Sequence, residues 1–522
     1  MLNSCPLTPI WTQSHSLAID KHCADFLPSA VLMEHAALAI RDVVMELLAT
    51  QLCQLVIIAG KGNNGGDALA AARLLSSYQP DILLTNATPT SPLAMAQLHA
   101  VRTLGLQPEL YEPSTWLQRK YHGKRLLIID GIVGLGLTGK LTSPLQALVA
   151  EIRAYPNKQV IAIDIPSALR CDDADADGDT ITADITITFG GKKPAHVLPP
   201  AQDHCGEVRV AEIFPASCVA TVFADQPSPL HICPQPSSNA KPDAFAALPA
   251  SAHKYQRGHV LVIGGSAGKL GAPLLSALAA LRTGAGWVSV ALPMTTASSH
   301  PSCLPLDLTY ENFFENGAIN IPALTEFVAQ RQVRAIVVGC GCVKSPLNAE
   351  LWQYLLQFAR QHPNGAVILD AGALDGLSTL WEAGGAENII LTPHAGEWQR
   401  LATPKLPQPD SVENIVAIKN IAVKRGLTLV YKNSSPLVFS PHPHEPVYVC
   451  EGGDNSLAKA GTGDIYAGIV AALALGMSGE QAAVSAYYHL RRAAHRLSKQ
   501  AFTHQARVGL HGITASLLID AL

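Results

Sequence analysis

Short runs rich in Val, Ile and Leu recur along the chain, and most end in glycine or an acidic residue. In the first half they are QLVIIAG (54–60), RLLIID (125–130), VIAID (160–164) and DITITFG (184–190). Between them lie Ala- and Leu-rich stretches of helical period, such as Ala68 to Ser76. Strand, glycine loop, helix, strand predicts a parallel sheet with crossover helices. From Phe223 to Ala250 the pattern lapses into six prolines among 28 residues, with serines and little apolar period. That stretch reads as a linker. The strand–loop–helix pattern then restarts with HVLVIGG (259–265) and GAPLLSALAALRTGAG (271–286). It continues through AIVVGCG (335–341), AVILDAG (366–372), IILTPHAGE (389–397) and LTLVYKN (427–433). An Ala-rich helical region follows GTGD (461–464). The expected organisation is two α/β domains, 1–222 and 251–522, joined by the linker 223–250. The halves share a class but not a motif order, so duplication is not supported.

Composition narrows the function. A length of 522 residues suits two to four domains. Hydrophobic residues make up 48% and charged residues 15%, which supplies buried cores and excludes a largely disordered chain. Lys+Arg 37 against Asp+Glu 41 gives a net charge of −4, without the basic excess of a nucleic-acid binder. No apolar run approaches the ~18 residues that span a bilayer, so no membrane partner is expected. Eleven cysteines, with no repeated spacing, suit free thiols in a reducing compartment. The start MLNSCPLTPIWTQ lacks the features of a signal peptide, and cytoplasm is the expected location.

Candidate chemistry sits at the strand ends. Gly60-Lys-Gly62-Asn-Asn-Gly65 matches G-x-G-x-x-G between a strand and a helix. No acidic residue closes the next strand, since DILLTN ends in Asn86, and this argues against an ordinary dehydrogenase. Asn63, Asn64 and Asp67 lie among glycines that let a ligand approach the backbone. Asp130 and Asp164 end strands, at the edge where open α/β sheets bind ligands. Their oxygens would suit a hard cation, although helix capping is the plain alternative for either alone. Asp173-x-Asp175-x-Asp177-Gly178, with Asp184 in the twelfth position, approaches a calcium loop. Its strand-like flanks are wrong for an EF-hand, so a solvated acidic loop is expected. His442-Pro-His444-Glu445 lacks the partners of a zinc site. In the second half, GGSAGKL is not a Walker A motif, because its spacing is short and Leu270 follows Lys269. Ala460-Gly461-Thr462-Gly463-Asp464 opens a helix. Its N–H groups could hold a transferring phosphoryl group, and Asp464 could accept the proton of an attacking hydroxyl. A glycine turn with an Asp cap is the alternative.

Residues 10–215 resemble the epimerases that act on hydrated NAD(P)H, in GNNGGD, D-x-x-x-G-x-G, DIPS and the opening ID…LMEHAALAI. The resemblance implies a Rossmann-like three-layer parallel-sheet domain. It implies that Asn64, Asp130 and Ser167 hold K+. It also implies that Asn63, Asn64, Gly65, Gly66, Asp67, Gly134, Leu135, Gly136, Leu137, Thr138, Gly139, Lys140 and Asp164 line the substrate site, with Asp164 catalytic. The family's glycines at 68 and 168 are alanine here, and its ENAG reads EHAA at His35 and Ala37.

Residues 250–520 resemble the ribokinase-like NAD(P)HX dehydratases, through six strings in the family's order, VVGCGC, TPHAGEWQRL and LAKAGTGDIYAG among them. There the resemblance implies that Asp464 is the base activating the substrate hydroxyl and that Gly461 and Gly463 form the anion hole. Lys432, Asn433, Ser434, Ser435, Pro436 and Gly463 would contact the nucleotide. Ala272, Gly341, His394 and Asp464 would contact the dinucleotide, with Glu397 assisting. Gly372 stands where the family has a carboxylate, Asn433 where it has glycine, and Lys459 adds a positive charge before the anion hole. Together the halves imply an enzyme that interconverts the epimers of NADHX and NADPHX and dehydrates the S form. It would use ADP, with ATP as the alternative, together with Mg2+ and K+. Oligomeric state stays open, a homo-oligomer included. The competing readings are a ribokinase-like kinase of a small alcohol with an accessory nucleotide-binding domain, and an N-terminal domain that binds without turnover.

Overall fold

The computed structural model describes residues 7–112, 116–176, 178–233, 249, 251–293, 304–315, 318–377, 384–401, 405–501 and 512–522. Two compact units emerge. One is Pro9–Pro229 with Pro409–Glu413, and the other is Leu230–Gln408 with Asn414–Leu522 and the segment up to Thr8.

The first unit is built on seven strands: β1 (Gln54–Ala59), β2 (Asp81–Leu84), β3 (Glu109–Leu110), β4 (Leu126–Gly131), β5 (Lys158–Ile163), β6 (Ile185–Phe189) and β7 (Glu207–Ala211). Their order is β3-β2-β1-β4-β5-β6-β7 and every pairing is parallel. The helices α1 (Gln13–Ala24), α2 (Ser29–Leu48) and α3 (Asn63–Leu74) belong to this unit. Alternate residues of the central strands feed opposite cores. Ile57, Ile129 and Ile161 pack with Ala36, Ile40 and Leu69 from α2 and α3. Val56, Ile128 and Val160 pack with Leu148 and Ile152 of the helix Ser143–Ala154. The result is three layers, as the sequence implied.

Chain direction along the sheet reverses between β1 and β4, which leaves a crevice at their C-terminal ends. Ala59 pairs with Gly131, so the loops after both strands leave side by side. At Gly60 a methyl group would lie 1.8 Å from the Ile132 carbonyl oxygen, so only glycine lets the loops pass. The two alanine replacements behave differently. Ala68 is fully buried in α3, and its methyl occupies the space a Cβ on Gly131 would need, 2.5 Å away. Ala168 has φ 83°, a left-handed conformation that disfavours a Cβ.

In the second unit the strands are β8 (Leu230–Ile232), β9 (His259–Ile263), β10 (Trp287–Ala291), β11 (Thr309–Glu311), β12 (Val333–Val338), β13 (Ala366–Leu369), β14 (Ile389–Leu391), β15 (Thr428–Tyr431), β16 (Leu437–Phe439) and β17 (Val447–Val449). With Thr8–Pro9 at one edge the sheet has eleven strands, ordered β8-β17-β16-β15-β14-β13-β12-β9-β10-β11 from there. Pairing is parallel from β11 through to β15, and β16 runs antiparallel to both its neighbours. Helices α4 (Gly271–Thr283), α5 (Ala395–Arg400) and α6 (Thr462–Leu473) frame the C-terminal strand ends. From Ile465 to Leu473 every residue of α6 is buried. Gly468 permits its close approach to α4, since a Cβ there would lie 2.0 Å from the Ser276 carbonyl oxygen.

The division between units, at Pro229 and Leu230, falls inside the stretch 223–250 that the sequence pattern reads as a linker. Phe223 is inside the helix Ala216–Asp225 and packs on Trp11, while β8 already belongs to the second sheet. Proline density misled here, because Pro227 and Pro229 flank ordered structure rather than a linker. Residues 234–248 and 250 lie outside the described residues, as does Asp177 of the acidic loop. The acidic loop's Asp184 is occupied, accepting a 2.7 Å hydrogen bond from the Val160 amide.

Replacing Ala168 by glycine should relieve the left-handed strain. The expected gain is about 1 kcal/mol in urea unfolding of the full chain, and an unchanged midpoint would show that the surrounding loop carries no strain.

Candidate active sites

In the first unit, the loops after β1, β4 and β5 and the helices α1 and α2 enclose a cavity of about 490 Å³. Asn63, Asn64, Asp67, Gly134, Leu135, Gly136 and Asp164 line it, as expected. Leu137, Thr138, Gly139 and Lys140 continue the same loop but are not part of its lining. Gly65 and Gly66 are buried in the first turn of α3, where a Cβ on Gly65 would lie 2.0 Å from the Gly60 carbonyl oxygen. The lining also contains Asp20, Lys61, Thr90, Phe189, Lys193 and Phe214, to which no sequence motif assigned a role.

Beneath the cavity, Asp130 and Ser167 are fully buried. Asp130 Oδ1 accepts from Ser167 Oγ at 2.6 Å and from the Ile132 amide at 3.2 Å, and Oδ2 accepts from the Ser167 amide at 2.8 Å. Burial pushes this carboxyl up to about 6, against the pull of those hydrogen bonds. No cationic side chain pairs with it among the described residues. The Asn64 amide is close by, near enough that a Cβ on Gly134 would lie 2.8 Å from Asn64 Oδ1. Asn64 Nδ2 is buried without a hydrogen-bond partner among the described residues.

Asp164 is built differently. It has φ 63° and is held by the Lys193 ammonium at 2.8 Å, with Thr188 Oγ1 donating at 3.0 Å. Lys193 also donates to Thr188 Oγ1 and to the Phe189 carbonyl. Burial opposes ionisation of Asp164, but the ammonium outweighs it and holds the carboxyl below the usual range. The burial of His196, next to this pair, pushes its imidazole down to about 3, so it stays neutral.

In the second unit, Gly461 caps α6 with φ 91° and aims the helix's first N–H groups at the C-terminal strand ends. Asp464 lies in the first turn of α6. Ligand atoms of Cys340, Asp370 and Asp464 lie within 4.8 Å of one another. Burial, and then the Asp370 charge, push Asp464 up to about 6. Asp370 ends β13 and accepts from Lys432 Nζ at 2.5 Å and Thr392 Oγ1 at 2.7 Å. Lys432 opens the turn between β15 and β16, and a Cβ on Gly463 would lie 3.5 Å from its Nζ. One ammonium therefore touches both the buried carboxylate and the expected anion hole. Asn433 and Ser434 follow on the same turn, while Ser435 and Pro436 are buried.

His394 caps α5, accepting from the Gly396 amide at 3.0 Å, and Glu397 accepts from the His394 amide at 2.8 Å. The His394–Lys432 bridge holds this turn beside the β15–β16 turn. Ala272 and Gly341 are neighbours on the other side, where a Cβ on Gly341 would lie 3.2 Å from the Ala272 methyl. At Gly372 a side chain would collide with the Cys342 carbonyl oxygen at 2.6 Å, so no carboxylate fits that position.

Residues 29–195 match the family described as YjeF-related protein N-terminus, and residues 260–512 match NAD(P)H-hydrate dehydratase. The bifunctional NAD(P)H-hydrate repair enzyme Nnr of Moorella thermoacetica is 31% identical over 489 residues, spanning 89% of this chain and 87% of that protein. The chain belongs to the bifunctional NAD(P)H-hydrate repair enzyme family. Its relative from Dictyoglomus turgidum is 30% identical over 455 residues, 85% of each chain. Among solved structures, a ribokinase-like protein of Enterococcus faecalis matches 56% of this chain and 94% of its own, at 24% identity and TM-score 0.43.

For a repair enzyme, the residues without a motif are as informative as those with one. Lys193 is legible in hindsight as a lysine just after the apolar run DITITFG. Asp20 sits near the start of the chain, where nothing announces a cavity wall, and nothing in VVGCGC announces that Cys340 lies beside Asp370 and Asp464. Asp370 acquires its role through partners far along the chain, Lys432 and Thr392. Among the described residues, no helix is long and apolar enough to cross a membrane.

Removing the Lys193 charge should leave Asp164 buried and unpaired. Lys193→Met is expected to destabilise the full chain by about 3–5 kcal/mol at pH 7 in urea unfolding. The carboxyl of Asp164 is depressed in the folded state, so the contribution is present above about pH 4 and lost as pH falls below it. The difference between variant and parent should therefore shrink in acid, and a pH-independent difference would assign the loss to packing.

Proposed function

We propose that the first unit interconverts the R and S epimers of NADHX and NADPHX. The second unit then phosphorylates the S form at its C6 hydroxyl and eliminates phosphate to restore NADH or NADPH. The observation that carries this reading is the join of Asp464, Lys432 and the Gly461 helix end in one site. It offers a proton acceptor, an ammonium and free backbone N–H groups together, the parts that in-line phosphoryl transfer needs.

In the second site, ionised Asp464 takes the hydroxyl proton as the substrate oxygen attacks the terminal phosphorus of ADP, and AMP leaves with the bridging electron pair. Lys432 and the α6 N–H groups face the charge that develops on the transferring oxygens. Phosphate then departs with the C6–O electron pair, and the C5 proton passes to the departing phosphate or to water as its C–H pair forms the C5–C6 double bond. Asp370 would suit Mg2+ together with nucleotide phosphates, because that ion is commonly held by one or two carboxylates plus phosphates, and this leaves Asp464 to act as the base. When bound, Mg2+ would neutralise phosphate charge.

In the first unit, Asp130, Ser167 and Asn64 suit a potassium ion. A buried carboxylate lacks a cation, a buried hydroxyl lies against it, and the Asn64 side-chain oxygen faces the neighbouring Gly134 loop. When bound, K+ would supply the missing positive charge beneath the substrate floor. Asp164 remains ionised and available to the cavity. The dinucleotide phosphates would approach the start of α3 and Lys61 at the crevice.

The first test is recovery of absorbance at 340 nm from mixed-epimer NADHX with ADP, Mg2+ and K+. Full recovery is expected. No recovery with ADP or ATP would overturn the dehydratase reading and favour a kinase of another alcohol. Asp464→Asn should slow the dehydration step by 10²-fold or more while R and S forms still interconvert. Since Asp464 must be ionised, wild-type dehydration should fall as pH drops through about 6. Potassium should raise the thermal midpoint of the full chain relative to an equal concentration of tetramethylammonium. Asp130→Asn should remove that difference.

A further inference from the structure

We propose that Asp20 is the proton donor of the epimerase site, with Asp164 as its ionised partner. The inference rests on the epimerase reading of the first unit. Asp20 projects from α1 into the cavity wall that also holds Asp67, Asp164 and Lys193. The three carboxyl groups are close enough for their charges to interact, and the cavity lining provides two ammonium groups, Lys61 and Lys193. Lys61 is exposed at the mouth, whereas Lys193 is bound to Asp164 at 2.8 Å. Like charges so arranged cannot all ionise, so the proton stays on the carboxyls that lack the ammonium. Two carboxyls with opposed environments divide the acid and base roles between them.

Asp67 and Asp20 both lack the ammonium, and access separates them. Asp67 is half-buried in α3, whereas Asp20 is exposed to cavity water and can reload its proton each turnover. Around Asp20 the charged or titratable groups are Asp164, Asp67 and Lys193 in the cavity, with Cys23 behind it on α1 and Cys218 against Cys23. Partial burial in the cavity wall, then the Asp164 charge, pushes Asp20 up to about 6, with Lys193 opposing.

The substrate's C6 carries a hydroxyl beside ring nitrogen N1. Asp20 gives its proton to that oxygen, the C6–O bond breaks with its electron pair on oxygen, and water leaves. The N1 lone pair forms a C6=N1 iminium, so a neutral acid and neutral substrate become a carboxylate, a cation and water. Asp164 and the new Asp20 carboxylate stabilise the cation. Water adds to the opposite face, the π pair returns to N1, and the excess proton passes to a carboxylate and back to Asp20 through cavity water. One water leaves and one enters.

The test uses the full-length enzyme with K+ and R-NADHX, without ADP, and resolves the epimers by chromatography with the enzyme-free rate subtracted. Asp20→Asn should slow interconversion at least 100-fold, while dehydration of the S form with ADP stays within twofold and shows the chain is folded. Asp20→Glu should restore at least a tenth of the wild-type rate. Wild-type interconversion should fall about tenfold per pH unit above pH 7, and the residual Asp20→Asn rate should lack that limb. In ¹⁸O-water each inversion should label the C6 hydroxyl. An Asp20→Asn variant as fast as wild type, one that keeps the pH limb, or inversion without label would overturn the proposal. If wild type itself leaves the R form untouched, the epimerase reading fails instead.

Discussion

Each unit buries an aspartate at the C-terminal end of a parallel strand, and each pairs it with one lysine. Asp164 follows β5 and meets Lys193 at 2.8 Å, and Asp370 ends β13 and meets Lys432 at 2.5 Å. An unpaired carboxylate in either place would be too costly to stay ionised. Both lysines are therefore structural requirements before they are catalytic ones. Burial, and then the charge of the lysine-paired aspartate, push up the remaining carboxyls of each site, Asp20 and Asp67 in one and Asp464 in the other. The same pairing that allows a buried charge thus sets the proton inventory around it.

Backbone geometry sets where these groups can stand. Parallel strands deliver their C-terminal loops to one edge, and glycines let those loops crowd together. Gly60 slides past Ile132, and Gly468 brings α6 against α4. Where the family has glycine at 68 and 168, this chain has alanine, and the two sites differ in kind. Position 68 needed only space, which Gly131 supplies opposite it. Position 168 needs a left-handed backbone, and Ala168 adopts it next to Ser167. The strain is localised in the turn that presents Ser167 to Asp130.

Much of this was legible in the residues. Strand ends and glycine loops follow from local pattern, so Asn63, Asn64, Asp67, Asp130 and Asp164 could be placed at one edge before any coordinates. The GTGD string likewise placed Asp464 in the first turn of a helix. Charge compensation was not legible, because Lys193 and Asp164 are brought together by the sheet across 29 residues, and Lys432 and Asp370 across 62. Asp20 reaches the cavity from a helix outside the strand pattern. The proline-rich stretch failed for a related reason: β8 is only three residues long and finds its partner β17 far along the chain.

The two sites place opposite demands on solution pH. Under the proposed mechanism dehydration needs Asp464 without its proton, and epimerisation needs Asp20 with one. Both carboxyls are pushed to about 6, chiefly by burial. Near neutrality Asp464 is mostly ionised and Asp20 keeps a minority of protonated molecules. Epimerisation then limits draining of the R form, and dehydration is close to its plateau. Acidification reverses the order. A chain carrying both activities therefore drains both epimers best just above the shared value, where neither proton state is scarce. That optimum arises because burial and a neighbouring aspartate's charge hold each carboxyl up, against a lysine that offsets them only in part.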